Sequence, residues 1–113
     1  MSVSFNGFNS NILTFKCNAK IAKGTPVNIF ESNTVVAASD SDDFHGVVID
    51  GDENYASVQV TGVVTLPYTG TAPETGFNSL GSDGNGGVKI ASTSKPFLIL
   101  ATDETAGTVT FMM

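Results

Sequence analysis

The chain has 113 residues, 41% hydrophobic and only 14% charged, with five Lys, no Arg, eleven acids and a net charge of −6. That length suits one small domain with one modest core, and the shortage of Glu, Lys and Arg argues against long solvent-facing helices. Without Arg forks and with few Lys to release counterions, the composition argues against a nucleic-acid or anionic-lipid binder, and no apolar run nears the ~20 residues of a membrane-spanning helix.

Met1–Asn11 carries Phe5 and Phe8 among Ser, Asn and Gly. It has too little apolar surface to fold alone and reads as a flexible N-terminal arm: either a locally packed terminus, or a segment that orders on a neighbour with the two Phe as anchors. It lacks the basic and apolar regions of a secretion signal. A single cysteine, Cys17, forms no internal disulfide, so a soluble protein made in a cytoplasm is expected.

Residues 12–113 read as a single β domain. Ile12–Cys17 is β-prone, with Leu13, Phe15 and Cys17 on one face and Thr14 and Lys16 on the other. Lys23-Gly24-Thr25-Pro26 turns the chain into Val27–Phe30, and Ser32-Asn33 turns it into Thr34–Ala37. An acidic loop, Ser39–Asp43, precedes a strand over Phe44–Ile49, a turn over Asp50–Asn54 and the cleanly alternating Tyr55–Val60. Gly62 marks a bulge or bend before Val63–Leu66, which Pro67 ends. Pro73–Gly76 is a turn region and Phe77–Leu80 a short segment. Gly81–Gly87 is so glycine-rich that it hosts residues of positive φ. Val88–Ala91, Phe97–Ala101 and Thr108–Met112 close the chain. No window of eleven residues shows a helical period, so the fold class is all-β, with at most a short helical turn.

An offset of 53 lays Val35–Asp50 on Val88–Asp103 without a gap. The pairs Val35/Val88, Ala38/Ala91, Ser39/Ser92, Ser41/Ser94, Phe44/Phe97 and Asp50/Asp103 are identical, six of sixteen, where chance gives about one or two. This predicts an internal duplication of one β-unit, over residues 24–60 and 76–111. A single copy of ~35–40 residues cannot cover its own apolar face, so the two must pack together.

Candidate chemistry is sparse. His45 is the single histidine, and no Ser-His-Asp or Cys-His arrangement can be assembled around it. Cys17 alternates in phase with Leu13 and Phe15, as a small buried hydrophobe does, and one His with one Cys makes no zinc site. Six of the eleven acids, Asp40, Asp42, Asp43, Asp50, Asp52 and Glu53, fall within fourteen residues. Asp50-Gly-Asp52-Glu-Asn54 places oxygen ligands as calcium loops do, but Tyr55 and Thr61 stand where an EF-hand needs Gly and Glu, so solvated turns are the expected role. The glycine loop is followed by a strand and by no Lys-Ser/Thr pair, which is unlike a phosphate loop. No catalytic residue, metal or cofactor is expected.

A series of markers in order gives the chain a family likeness. They are Ala22-Lys23-Gly24-Thr25-Pro26-Val27-Asn28-Ile29, Val35-Val36-Ala37-Ala38, Phe44-His45-Gly46-Val47-Val48, Val58 through Pro67, the turn and strand of Gly81–Ala91, and Thr105-Ala106-Gly107-Thr108-Val109-Thr110-Phe111. In these the chain resembles the small capsid decoration, or cement, proteins of tailed bacteriophages, from about Lys20 to the C-terminus. The resemblance implies a compact β-clip-like or small β-barrel fold, often trimeric. It also implies a place on the virion exterior after synthesis in the host bacterial cytoplasm, bridging subunits of the major capsid protein, with acidic loops facing water. Phe5, Phe8, Ile12 and Leu13 are the expected partner-binding residues, because an extended arm can add a strand to a sheet edge. The alternative is a carbohydrate-binding or adhesive β-module, which needs exposed aromatic platforms; Phe5, Phe8, Tyr55 and Tyr68 are the candidates.

Overall fold

A computed structural model describes residues 11–92 and 94–113. They form ten strands: β1 (Asn11–Cys17), β2 (Pro26–Glu31), β3 (Thr34–Ala37), β4 (Gly46–Gly51), β5 (Tyr55–Thr61), β6 (Val63–Pro67), β7 (Gly76–Ser82), β8 (Val88–Ile90), β9 (Pro96–Asp103) and β10 (Thr108–Met112). The described residues contain no helix, and the class is all-β. The arm expected over Met1–Asn11 lies outside the described residues except for Asn11, which begins β1 by pairing with Thr61. The glycine-rich turn is shorter than expected, because Gly81 and Ser82 still pair with Lys89 and Val88.

The strands β1 to β5 close into a barrel in the order β1-β3-β2-β4-β5, with β1 parallel to β3 and every other neighbour antiparallel. The remaining five form a sheet in the order β6-β10-β9-β7-β8. When β1 is matched to β6, and β2–β5 to β7–β10, each antiparallel partnership of the first half recurs in the second. The parallel closure recurs in reduced form: Cys17 pairs with Val35, and an isolated parallel bridge joins Tyr68 to Val88. The Cys17 amide donates to the Asn54 carbonyl at 3.0 Å, and the Tyr68 amide to that of Gly107 at 3.1 Å. Asn33 and Gly86, 53 residues apart, both take positive φ in matching turns.

This recurring unit is larger than residues 24–60 and 76–111, since it takes in β1 and β6. Those strands were hidden from a gapless comparison because the offset there is 51, from Cys17 to Tyr68.

The buried side chains form two clusters, where the chain length led to the expectation of one. Cys17, Val27, Val35, Val48, Ala56 and Val58 fill the first barrel. A larger cluster fills the second half, including Leu66, Leu80, Val88, Phe97, Ile99, Val109 and Phe111, and it borrows Ala38, Phe44 and Val47 from the first. Successive residues of a strand face opposite ways, so β4 turns Val47 toward the large cluster and Val48 toward the small one. Phe44 stacks on its matching residue Phe97 with ring centroids 5.1 Å apart, and meets Phe111 edge-on at 6.1 Å.

The acidic loop is not simply solvated. Its carboxylates are exposed, but its backbone is laced to β7: the Ser41 amide donates to the Ser82 carbonyl at 2.8 Å, and the Ser82 amide to that of Asp42 at 2.9 Å.

Gly46 lets β4 and β5 approach inside the small barrel; a Cβ there would sit 2.5 Å from Val58 Cγ1 and 2.7 Å from the Gln59 carbonyl oxygen. Gly46→Ala is therefore expected to cost about 1–3 kcal/mol of unfolding free energy, as overpacking does. Phe44→Ala, which opens the seam between the halves, should cost about 3–5 kcal/mol. Urea titration of each variant checks both values.

Candidate functional site

The closure of the first barrel is incomplete along β1. One side of β1 pairs with β5 over Asn11–Lys16, whereas the other meets β3 only at Lys16 and Cys17. Among the described residues, no strand lies beside Asn11–Phe15 on that second side. The backbone there offers a free edge, and Ile12 and Leu13 stand on it, each 51% exposed. Leu13 shares a face with Phe15 and Cys17, the last of which was expected to be buried. Only Cys17 is fully buried, because the barrel wraps only the C-terminal end of the strand.

Ile12 shares the outward side of β1 with Lys16, whose register partner is Thr34. By alternation Val36 of β3 faces outward too, opposite Asn28 of β2. Val36 and Phe30 are half exposed, while the Asn28 Oδ1 is buried without a hydrogen-bond donor. Such an orphan acceptor carries a free-energy cost that a partner's N–H would remove. The other expected anchors, Phe5 and Phe8, lie outside the described residues. Beside β3, a cavity of about 310 Å³ is lined mainly by Ala19, Ile21, Ala22, Val35, Val36 and Ala37, with Lys20 and Asn18 supplying polarity. No acid, histidine or thiol lines it.

Several titratable groups are engaged in holding the structure. The His45 ring is exposed, and its Nδ1 accepts the Ile29 amide at 2.9 Å, extending the short β2–β4 ladder by one side-chain bond. Buried Cys17 directs its Sγ to the Asp52 carbonyl at 3.5 Å. Asp50 accepts the Gly51 amide, and Asp43 that of Lys95. Asp40 pairs with Lys89 at 2.8 Å across the surface. Among the described residues, no three of these side chains gather as a metal-ligand group. No helix of the described residues is long and apolar enough to cross a membrane.

Of the aromatic residues expected at the surface, Tyr55 is exposed, but Tyr68 packs against the large cluster. Phe30 and Phe77 are exposed instead, Phe77 by 75%. Parity along β7 explains the second: Leu80 faces the core, so Phe77, an odd number of positions away, faces out.

Two carboxyls are held below their ordinary range. The amides of Asn54 and Tyr55 donate to Asp52, which outweighs a small cost of burial. At Asp83 burial is the largest single influence and opposes ionisation. It is outweighed by the Asn85 amide, the Thr69 hydroxyl and the Gly87 amide together, with help from Lys89. Asp83 thereby ties the chain leaving β6 to the β7–β8 turn, where the second sheet closes. No family model and no curated protein matches the sequence.

A carboxyl whose folded pKa lies below its unfolded one stabilises the fold fully above the unfolded value. That contribution is lost as pH falls through the folded value. The melting temperature is thus expected to fall with acid below about pH 4. Asp83→Asn should remove part of that slope and cost about 1 kcal/mol at pH 6; thermal melts from pH 2 to pH 6 measure both.

Proposed function

We propose that this protein is a non-enzymatic structural protein of a phage virion, which decorates the outside of the capsid and stabilises it by bridging subunits of the major capsid protein. The observation that carries this reading is the half-open β1, a free backbone edge flanked by the exposed Ile12 and Leu13. An exposed apolar edge invites strand addition by another chain. The likeness to decoration proteins supports the same reading, and its markers fall on the turns and strands that build the two halves.

Attachment of this kind needs no chemistry. A protein that binds the assembled lattice and not the free subunit stabilises the shell by mass action. Repetition over a symmetric lattice supplies avidity, so each contact can be modest. Self-association as a homotrimer belongs to the proposal, since a closed ring covers sheet edges and apolar surface that a small domain cannot bury alone.

A carbohydrate-binding or adhesive role is the second reading, and the exposure of Phe30, Tyr55 and Phe77 favours it. Against it, the register partner of Phe77 is Leu98, an aliphatic neighbour with no group for a sugar hydroxyl.

Placing Asp at both Ile12 and Leu13 should weaken binding to purified capsids about tenfold or more, since a fully buried side chain of this size contributes about 1.5–3 kcal/mol. His45→Ala should leave binding nearly unchanged. Co-sedimentation with capsids measures both. A loss of binding with His45→Ala alone, or glycan-array binding that survives the double change, would move the assignment to another class. The free protein should elute near trimer mass at micromolar concentration.

A further inference from the structure

The turn between β7 and β8 holds a main-chain link that its packing leaves open to attack. Asn85 is the one described asparagine that a glycine follows; Asn6-Gly7, the other such pair of the sequence, lies outside the described residues. Asn85 is exposed. Its amide donates to Asp83 Oδ1 at 2.7 Å, and the Gly87 amide donates to the same oxygen at 3.0 Å. The Gly86 amide between them donates to nothing among the described residues. Open space surrounds Gly86, where a Cβ would find no heavy atom within 4 Å. An unbonded, unshielded amide nitrogen thus follows an exposed carboxamide, and closing a five-membered ring between them is the kind of step that intramolecular placement favours. The two described Asp-Gly pairs differ. The Gly51 amide donates to Asp50 and the Gly84 amide to the Ser82 hydroxyl, and an ionised carboxylate is a poor target for a nucleophile.

We propose that Asn85-Gly86 is a site of spontaneous deamidation, and that the change loosens the closure of the second sheet. The Gly86 nitrogen, shedding its proton to solvent, bonds to Asn85 Cγ; the Cγ–Nδ2 bond breaks and ammonia leaves. Water then opens the ring. Opening at Cγ leaves an aspartyl residue, and opening at the Asn85 main-chain carbonyl leaves an isoaspartyl residue, whose chain runs on through the former side chain. The sequence is substitution and hydrolysis, with no oxidation or reduction. Either product takes the net charge of −6 one unit further negative, beside the Asp83 carboxylate, where like charges repel. The isoaspartyl product also adds a methylene to the main chain between Asp83 and Gly87, which bond to each other at 3.0 and 3.1 Å. Gly87 has little slack to absorb it, since a Cβ there would sit 2.6 Å from the Pro67 carbonyl oxygen. Asp83 also accepts the Thr69 hydroxyl at 2.8 Å, and the Thr69 amide donates to the Val88 carbonyl at 3.0 Å. Displacement of Asp83 therefore reaches the parallel bridge from Tyr68 to Val88 at which this sheet closes.

The inference does not depend on the proposed function, because its test needs no capsid. The folded, full-length protein is incubated in heavy-oxygen water at neutral and at mildly alkaline pH, and its peptides are mapped by mass spectrometry, which reads Asn85 separately from Asn6. Asn85 is expected to lose ammonia and take up one heavy oxygen about tenfold or more faster than Asn33 or Asn54, a barrier lower by about 1.4 kcal/mol. The rate should rise with pH, because the attacking nitrogen must give up its proton. Asn85→Gln, which keeps the charge but needs a larger ring, should stop the reaction at this position. The isoaspartyl fraction, separated by its added charge, should melt below untreated protein and below Asn85→Asp, which carries the charge on an ordinary main chain. An intact Asn85 in the folded chain, while the same pair reacts in urea, would overturn the site. An isoaspartyl fraction that melts with untreated protein would overturn its effect on the closure.

Discussion

Burial of β4 on both faces is the constraint on which the rest of the structure depends. A strand with one solvated face alternates apolar and polar residues, whereas one covered on both sides reads as an apolar run. Val47-Val48 is such a run, and it serves two cores at once. The two halves share side chains through it. The first barrel encloses six small side chains, and the second cluster is completed only by Ala38, Phe44 and Val47 from the first half. The seam sets matching positions against each other, Phe44 on Phe97 and the Ser94 hydroxyl on the Ser41 carbonyl at 3.3 Å. Contact between like residues is what two copies of one unit make when they face each other.

The all-β class, most of the strands and the 53-residue correspondence were legible because they rest on local signals: alternation, turn glycines and prolines, and an ungapped match. The size of the recurring unit was less legible. β1 and β6 keep the same pairing role, but they sit at a different offset and share few residue types, so only the hydrogen bonds reveal them as counterparts. Two cores in place of one also escaped the sequence. The number of cores depends on where the chain crosses from one sheet to the other, and that happens at Gly62, whose φ of +107° reads locally as a simple bulge. The acidic loop misled for a related reason. Its side chains are as exposed as their charge predicts, while its main chain bonds to β7, and main-chain bonding to a distant strand leaves no trace in residue type.

At the candidate site, Ile12 and Leu13 were legible as apolar residues of the first strand available to a partner, but the reason for their exposure was not. Leu13 has the parity of a core residue and would be one if β3 ran alongside the whole of β1. Its exposure comes from the length of a different strand: β3 has four residues against seven in β1. Phe77 shows the converse. Composition places a Phe inside, yet its parity relative to Leu80 places it outside, and parity decides because a strand cannot turn adjacent side chains to the same face.

The two halves differ where they close, and that difference locates the surfaces available to a partner. The first closes through β1 and β3 but leaves the N-terminal part of β1 without a neighbour; the second closes at one parallel bridge, tightened by the Thr69–Asp83 bond at 2.8 Å. Phe77, Leu98 and Met112 stand on the outer face of that second sheet, turned there by strand parity. His45, Cys17 and several turn aspartates are engaged in holding loops and ladders, while the exposed apolar side chains and the edge of β1 have no such role among the described residues. Apolar side chains recognise shape, and a strand edge recognises extended backbone, which is the physical basis on which the proposed attachment rests.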